Sequence, residues 1–125
     1  MAENTSIKNT CSHVIIVLVE PAGALNVGSV ARVMKNFGLS KLILVNPQCD
    51  RSCFDAIKMA VHGKDILASA VIVDTLPAAL QGCVRAIATI GRDYSGEIPL
   101  ENPRTALPWL LETPKQPVAL IFGRE

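Results

Sequence analysis

The sequence has no apolar run long enough to cross a bilayer; its longest, such as residues 14–19, are the length of a strand. Its first ten residues are polar, with no apolar stretch behind a basic start, so nothing in them reads as a secretory leader. A soluble, cytoplasmic protein with no membrane association is the expectation. Charge is scarce at 18% of residues while half are apolar, which excludes a disordered chain. A formal net charge of +1 gives no basic stripe of the kind that marks a polyanion binder. Any contact with nucleic acid must therefore be local or shared with a partner. The four cysteines, at 11, 49, 53 and 83, have no zinc spacing. Cys49 and Cys53 are four apart with no second Cys/His couple, and His13 and His62 lie far from each other. They read as reduced thiols, and no metal is expected. There is no internal repeat and no low-complexity segment, and 125 residues suit one domain.

What is present is a succession of short apolar runs. Residues 13–19 (HVIIVLV), 41–46 (KLILVN) and 118–122 (VALIF) are rich in Val, Ile and Leu without alternation, as strands covered on both faces should be. Residues 71–73 and 84–90 read as two more. Between them, Val27, Val30, Ala31, Met34 and Phe37 recur at one-face helical spacing, with Asn26 as a candidate N-cap and Gly38 as a fitting stop. Arg32, Lys35 and Asn36 fall off that stripe. Further helices are expected over 53–61, ending at Gly63, over 76–81, capped by Thr75 or Asp74, and from Asn102-Pro103 to about 112, with Pro108 able to bend it. This alternation predicts an α/β fold: a doubly wound, mostly parallel five-stranded sheet. The segment 91–103 is the one long polar loop.

In open α/β sheets ligands collect beyond the carboxyl ends of the strands. The loop after the first strand is therefore the first place to look for a nucleotide. Gly23 and Gly28 have P-loop spacing, but Ser29 takes the lysine position and Val30 the hydroxyl position, so the main phosphate-binding groups are missing. The G-x-G-x-x-G dinucleotide pattern is absent too. Asn26 is either a helix cap or a site residue, and Arg32, Arg92 and Arg124 are either solvated charges or site residues. Their expected convergence on one edge of the sheet favours the second reading.

Residues 17–20 (VLVE), 26–32 (NVGSVAR) and 34–39 (MKNFGL) resemble motif 1 of the SpoU/TrmH (SPOUT) family of RNA ribose 2′-O-methyltransferases. Residues 44–47 (LVNP), 60–63 (AVHG), Thr75-Leu76 with Ala79-Leu80, and Ala88-Thr89 with Arg92 follow in that family's order, and 122–125 (FGRE) resembles the opening of its motif 2. The similarity runs from about residue 13 to 125, and it is nearest to the TrmJ branch, which acts on the anticodon loop of tRNA.

The resemblance implies a SPOUT-type α/β domain over residues 13–125 behind a polar tail, 1–12, with the family's C-terminal trefoil knot lying beyond the chain. It implies methyl transfer from S-adenosylmethionine to a ribose 2′-hydroxyl, with tRNA the first expected substrate and rRNA the second. Arg32 would face the ribose and its phosphate, Asn26 would position the reacting groups and Glu20 would support the loop. Thr89, Gly91, Gly123 and Glu125 would lie along the cofactor. Arg32, Ser29, Arg92 and Arg124 would contact RNA, and the loop 91–103 would offer Arg92, Tyr94 and Arg104 to it. The complete protein would be a homodimer without a metal. Lacking the knot, this chain alone is expected to be inactive and marginally stable. The alternative is a non-catalytic truncated homologue that binds RNA or a partner.

Overall fold

A computed structural model describes residues 13–89, 100–112 and 115–123. The expectations placed on Cys11, Gly91, Arg92, Tyr94, Arg124, Glu125 and the tail 1–12 lie outside the described residues.

The apolar runs become five strands: β1 (Val14–Val19), β2 (Lys41–Val45), β3 (Val71–Val73), β4 (Arg85–Ala88) and β5 (Val118–Phe122). They form one sheet in the order β3-β2-β1-β5-β4, and every pairing is parallel. The expected doubly wound sheet is therefore present. Of the expected fourth strand, 84–90, Arg85 to Ala88 ladder with β5, and residue 90 lies outside the described residues.

The helices are α1 (Ala24–Asn36), α2 (Phe54–Ala60), α3 (Lys64–Ser69), α4 (Leu76–Ala79) and α5 (Pro103–Leu111), with a 3₁₀ turn at Val61–Gly63 between α2 and α3. The apolar core on one face of the sheet draws on α1, α2, α3 and Leu110 of α5. The core on the other face draws on Ala79, Leu76 and Leu80 in and beside α4. The chain runs from β1 to β2 to β3, and from β4 to β5, in one direction across the first face. It returns from β3 to β4 over the second, as right-handed crossovers require. Val17, Val27, Met34, Leu44, Leu110 and Val118 are the largest fully buried side chains. Each contributes about 1.5–3 kcal/mol through removal from water.

The helix ends follow local chemistry. Thr75 accepts a bond from the Ala78 amide at 3.3 Å, and Asn102 accepts from the amides of Arg104 and Thr105 at 2.8 and 3.3 Å, both as expected of N-caps. Pro108 is accommodated inside α5, which continues to Leu111. Gly38 takes a left-handed φ of 76°. There its amide donates to the Lys35 carbonyl and the Leu39 amide to the Met34 carbonyl, at 3.3 and 2.9 Å. This is the paired closure by which a helix stops at glycine.

Two helical boundaries differ from the sequence reading. Asn26 is not the N-cap of α1: the helix starts earlier, at Ala24, with Gly23 in extended conformation at the cap. Nor does Gly63 end the helical stretch. It joins the 3₁₀ turn to α3, which the sequence reading did not contain. Its small size serves packing, since a Cβ there would overlap the Ala31 carbonyl.

Candidate active site

The strand order brings the carboxyl ends of β1, β5 and β4 side by side. Leu18 pairs with Phe122, so Gly123 lies beside Val19 and close to Glu20. Ala88 pairs with Ile121, and the next residue, Thr89, is pinned to that strand by its amide and its hydroxyl. Both donate to the Ile121 carbonyl, at 2.9 and 3.3 Å. Glu20, Gly123 and Thr89 therefore converge within about 10 Å along one edge, given the ~4.8 Å spacing of strands. Glu20 leaves β1 with a φ of 48°, while its amide keeps the ladder by donating to the Val45 carbonyl at 2.7 Å. A non-glycine residue in this left-handed region is uncommon, and such residues gather at functional sites. Next to it, a Cβ placed at Gly123 would meet no atom of a described residue within 4 Å.

α1 descends from this edge and carries the motif residues on different sides. Val27, Gly28, Ala31 and Met34 are buried. A Cβ at Gly28 would overlap the Ala56 carbonyl, so the motif glycine serves the close approach of α1 to α2 and not a phosphate loop. Ser29 donates its hydroxyl to the Leu25 carbonyl at 2.9 Å, which leaves only its acceptor capacity for an RNA group. Asn26 is exposed in the first turn, at the edge. Arg32 is exposed as well, but it stands about 12 Å along the axis from the start of the helix and about 120° around it from Asn26. Of the four residues expected to converge, Asn26 lies at the edge with Glu20, Thr89 and Gly123, Arg32 sits lower, on the flank of α1 that faces the turn into α3, and Arg92 and Arg124 lie outside the described residues. There a Cβ at Gly63 would lie 2.9 Å from the Arg32 amide nitrogen.

The surroundings leave the Arg32 guanidinium available. It makes no hydrogen bond or ion pair with a described residue. Lys35, one turn further, is occupied by Asp65 at 2.9 Å, and the lysine hydrogen bond holds the Asp65 carboxyl below its ordinary value. The Asp50 carboxyl is likewise held low, by the Ser52 hydroxyl and amide at 2.6 and 2.8 Å. Burial pushes the Cys83 thiol up. Arg104, the described basic residue at the end of the long loop, is exposed at the start of α5. No group of three or more metal-ligating side chains occurs among the described residues, and no described helix is long and apolar enough to cross a membrane.

Sequence reasoning missed one residue at the edge. Asn46 follows β2 as Glu20 follows β1, also with positive φ, 44°. The signal available was an asparagine between a strand-like run and a proline, since asparagine tolerates the left-handed region better than most residues.

The order of strands, the motif helix and the carboxyl-edge cluster agree with a family comparison: the profile of the SpoU rRNA Methylase family matches residues 13–125. The chain belongs to the SpoU rRNA methylase family. Among SpoU-type relatives, it is 43% identical over 114 residues to the tRNA (cytidine/uridine-2′-O-)-methyltransferase TrmJ of Salmonella typhimurium, with 90% of this chain and 46% of that protein covered. It is 42% identical to the protein of the same name from Pectobacterium atrosepticum, again over 114 residues, with 90% and 47% covered. The chain thus spans about half the length of the curated relatives it matches. Solved structures agree. The crystal structure of TrmJ from Z. mobilis superposes with a TM-score of 0.81 at 32% identity, covering 89% of this chain and 49% of that one. A probable methyltransferase from Bordetella pertussis gives 0.83 at 29% identity, covering 95% and 72%. The parallel sheet described above is thereby the SPOUT-type α/β fold expected from the sequence.

Proposed function

We propose that the protein is an S-adenosylmethionine-dependent RNA ribose 2′-O-methyltransferase that acts on tRNA, in the anticodon loop. The observation that carries this reading is the 43% identity, across 90% of the chain, to relatives named for cytidine/uridine 2′-O-methylation of tRNA. The geometry supports it with an Arg32 guanidinium that has no partner among the described residues and a Gly123 with no described atom against it. A cytoplasmic homodimer, with residues 13–125 as its methyltransferase portion behind the polar tail 1–12, belongs to the same proposal. rRNA is the second candidate substrate.

S-adenosylmethionine, when bound, supplies an electrophilic methyl group. The fit for it lies at the backbone of Gly123, with Thr89 beside it, and Gly91 and Glu125 are assigned to the same binding surface. The chain's own residues would orient the ribose as its 2′-oxygen bonds to the methyl carbon, the methyl–sulfur bond breaking to leave a neutral thioether and the hydroxyl proton passing to water. Arg32 does this as a fixed cation. A guanidinium stays protonated, so it holds the neighbouring phosphate and lowers the cost of negative charge growing on the 2′-oxygen. Asn26, at the top of α1, positions the reacting groups, and Glu20 supports the loop that leads into that helix. Ser29, Arg92 and Arg124 are assigned to RNA contact.

The test is methyl transfer by the full-length gene product to a tRNA mixture, followed by nucleoside analysis. The Arg32→Ala variant should lose transfer and keep its fold. Near-normal turnover in that variant would remove Arg32 from the mechanism. A wild-type protein that binds RNA but transfers no methyl group would instead support the non-catalytic reading.

A further inference from the structure

We propose that Asn46 is a second nucleotide-holding residue of this site, hydrogen-bonding the target nucleotide beside Glu20; the inference rests on the RNA methyltransferase reading above. β1 and β2 run parallel with Val19 opposite Val45 as their last pair, which makes Glu20 and Asn46 lateral neighbours just past the sheet. Both turn into the left-handed region, with φ of 48° and 44°, so the two chains leave the sheet in the same sense. The backbone at Asn46 is fully engaged. Its amide donates to the Val73 carbonyl at 2.8 Å, and its carbonyl accepts from Gln48 Nε2 at 2.9 Å. The Gln48 amide then ties this loop to the preceding one by donating to the Pro21 carbonyl at 2.9 Å. The side chain is treated differently: Asn46 is exposed, and its carboxamide makes no hydrogen bond with a described residue.

A rigidly stitched backbone thus presents a carboxamide on the edge where α/β sheets bind their ligands. The carboxamide both donates and accepts. That suits the polar edge of a nucleotide, either a ribose hydroxyl or the 4-position of a pyrimidine base. By rotating, a carboxamide can accept from the 4-amino group of cytidine or donate to the 4-oxo group of uridine. The competing explanation is that asparagine is present only because it tolerates left-handed φ.

Asn46→Gly separates the two, because glycine adopts the same backbone without strain and removes only the side chain. The assay is steady-state methyl transfer by the full-length protein to tRNA transcripts carrying cytidine or uridine at the target position, with thermal unfolding measured in parallel. Asn46→Gly should raise KM for tRNA roughly ten-fold, the size of one or two neutral hydrogen bonds, with an unchanged unfolding midpoint. Kinetics equal to wild type would overturn the inference and leave the methyltransferase reading intact. A wild-type protein with no transfer to RNA would overturn both. In Asn46→Asp the group becomes acceptor-only. A shift of preference toward cytidine places the contact at the base, and equal loss on both transcripts places it at the ribose. Kinetics unchanged on both transcripts in this variant too would overturn the inference.

Discussion

Arg32 stands exposed on the flank of α1 with no partner among the described residues, so its removal should leave the fold within about 0.5 kcal/mol of wild type. Denaturant unfolding of Arg32→Ala should show this alongside the loss of methyl transfer. A large fall in stability would mean that the arginine serves packing. Cys83 gives a second test at this scale. Burial raises its thiol pKa, which lowers the reactive thiolate fraction. In the folded protein at pH 8 it should react with iodoacetamide more slowly than free cysteine does, as mass spectrometry of labelled peptides can follow. A rate equal to or above that of free cysteine would contradict the half-buried placement. Residue roles were only partly legible in the sequence. Glu20 was singled out through the family resemblance, and the structure adds the left-handed backbone that distinguishes it. Asn46 was read as the end of a strand and given no site role, because nothing in a single sequence tells an asparagine chosen for its backbone from one chosen for its amide.

The motif helix is where sequence and packing connect most tightly. α1 can approach α2 and α3 only because Gly28 and Gly63 lack side chains, their would-be Cβ atoms overlapping the Ala56 and Ala31 carbonyls. Backbone atoms cannot swing aside as a side chain can. Gly28→Ala should therefore destabilise the protein by about 1–3 kcal/mol through overpacking, read as a lowered urea midpoint. An unchanged midpoint would show that the helices have room to separate. The same contact explains a boundary the sequence hid. Gly63 looked like a helix stop, but it was selected for closeness, and the chain continues into α3 after a short 3₁₀ turn. Asn26 misled in a related way: it has the chemistry of a cap, while Gly23, three residues earlier, holds the position. Strands were easier to read, since β1, β2 and β5 are buried between layers and their unbroken Val, Ile and Leu content records it.

At the scale of the molecule, the order of strands decides what can meet. β1, β5 and β4 are distant in sequence and adjacent in the sheet, so Glu20, Thr89 and Gly123 share an edge that alternating strand and helix patterns only outline. Arg32 lies apart from that edge, exposed on the flank of α1 near the turn into α3, and the proposed chemistry needs RNA to bring the two regions to bear on one ribose. The most direct measurement is mass-spectrometric analysis of tRNA incubated with the full-length protein and S-adenosylmethionine carrying a labelled methyl group. The label should appear on a ribose 2′-oxygen, as 2′-O-methylcytidine or 2′-O-methyluridine from the anticodon loop, and should disappear with Arg32→Ala. A label on a base, or no label in any RNA offered, would contradict the proposed function.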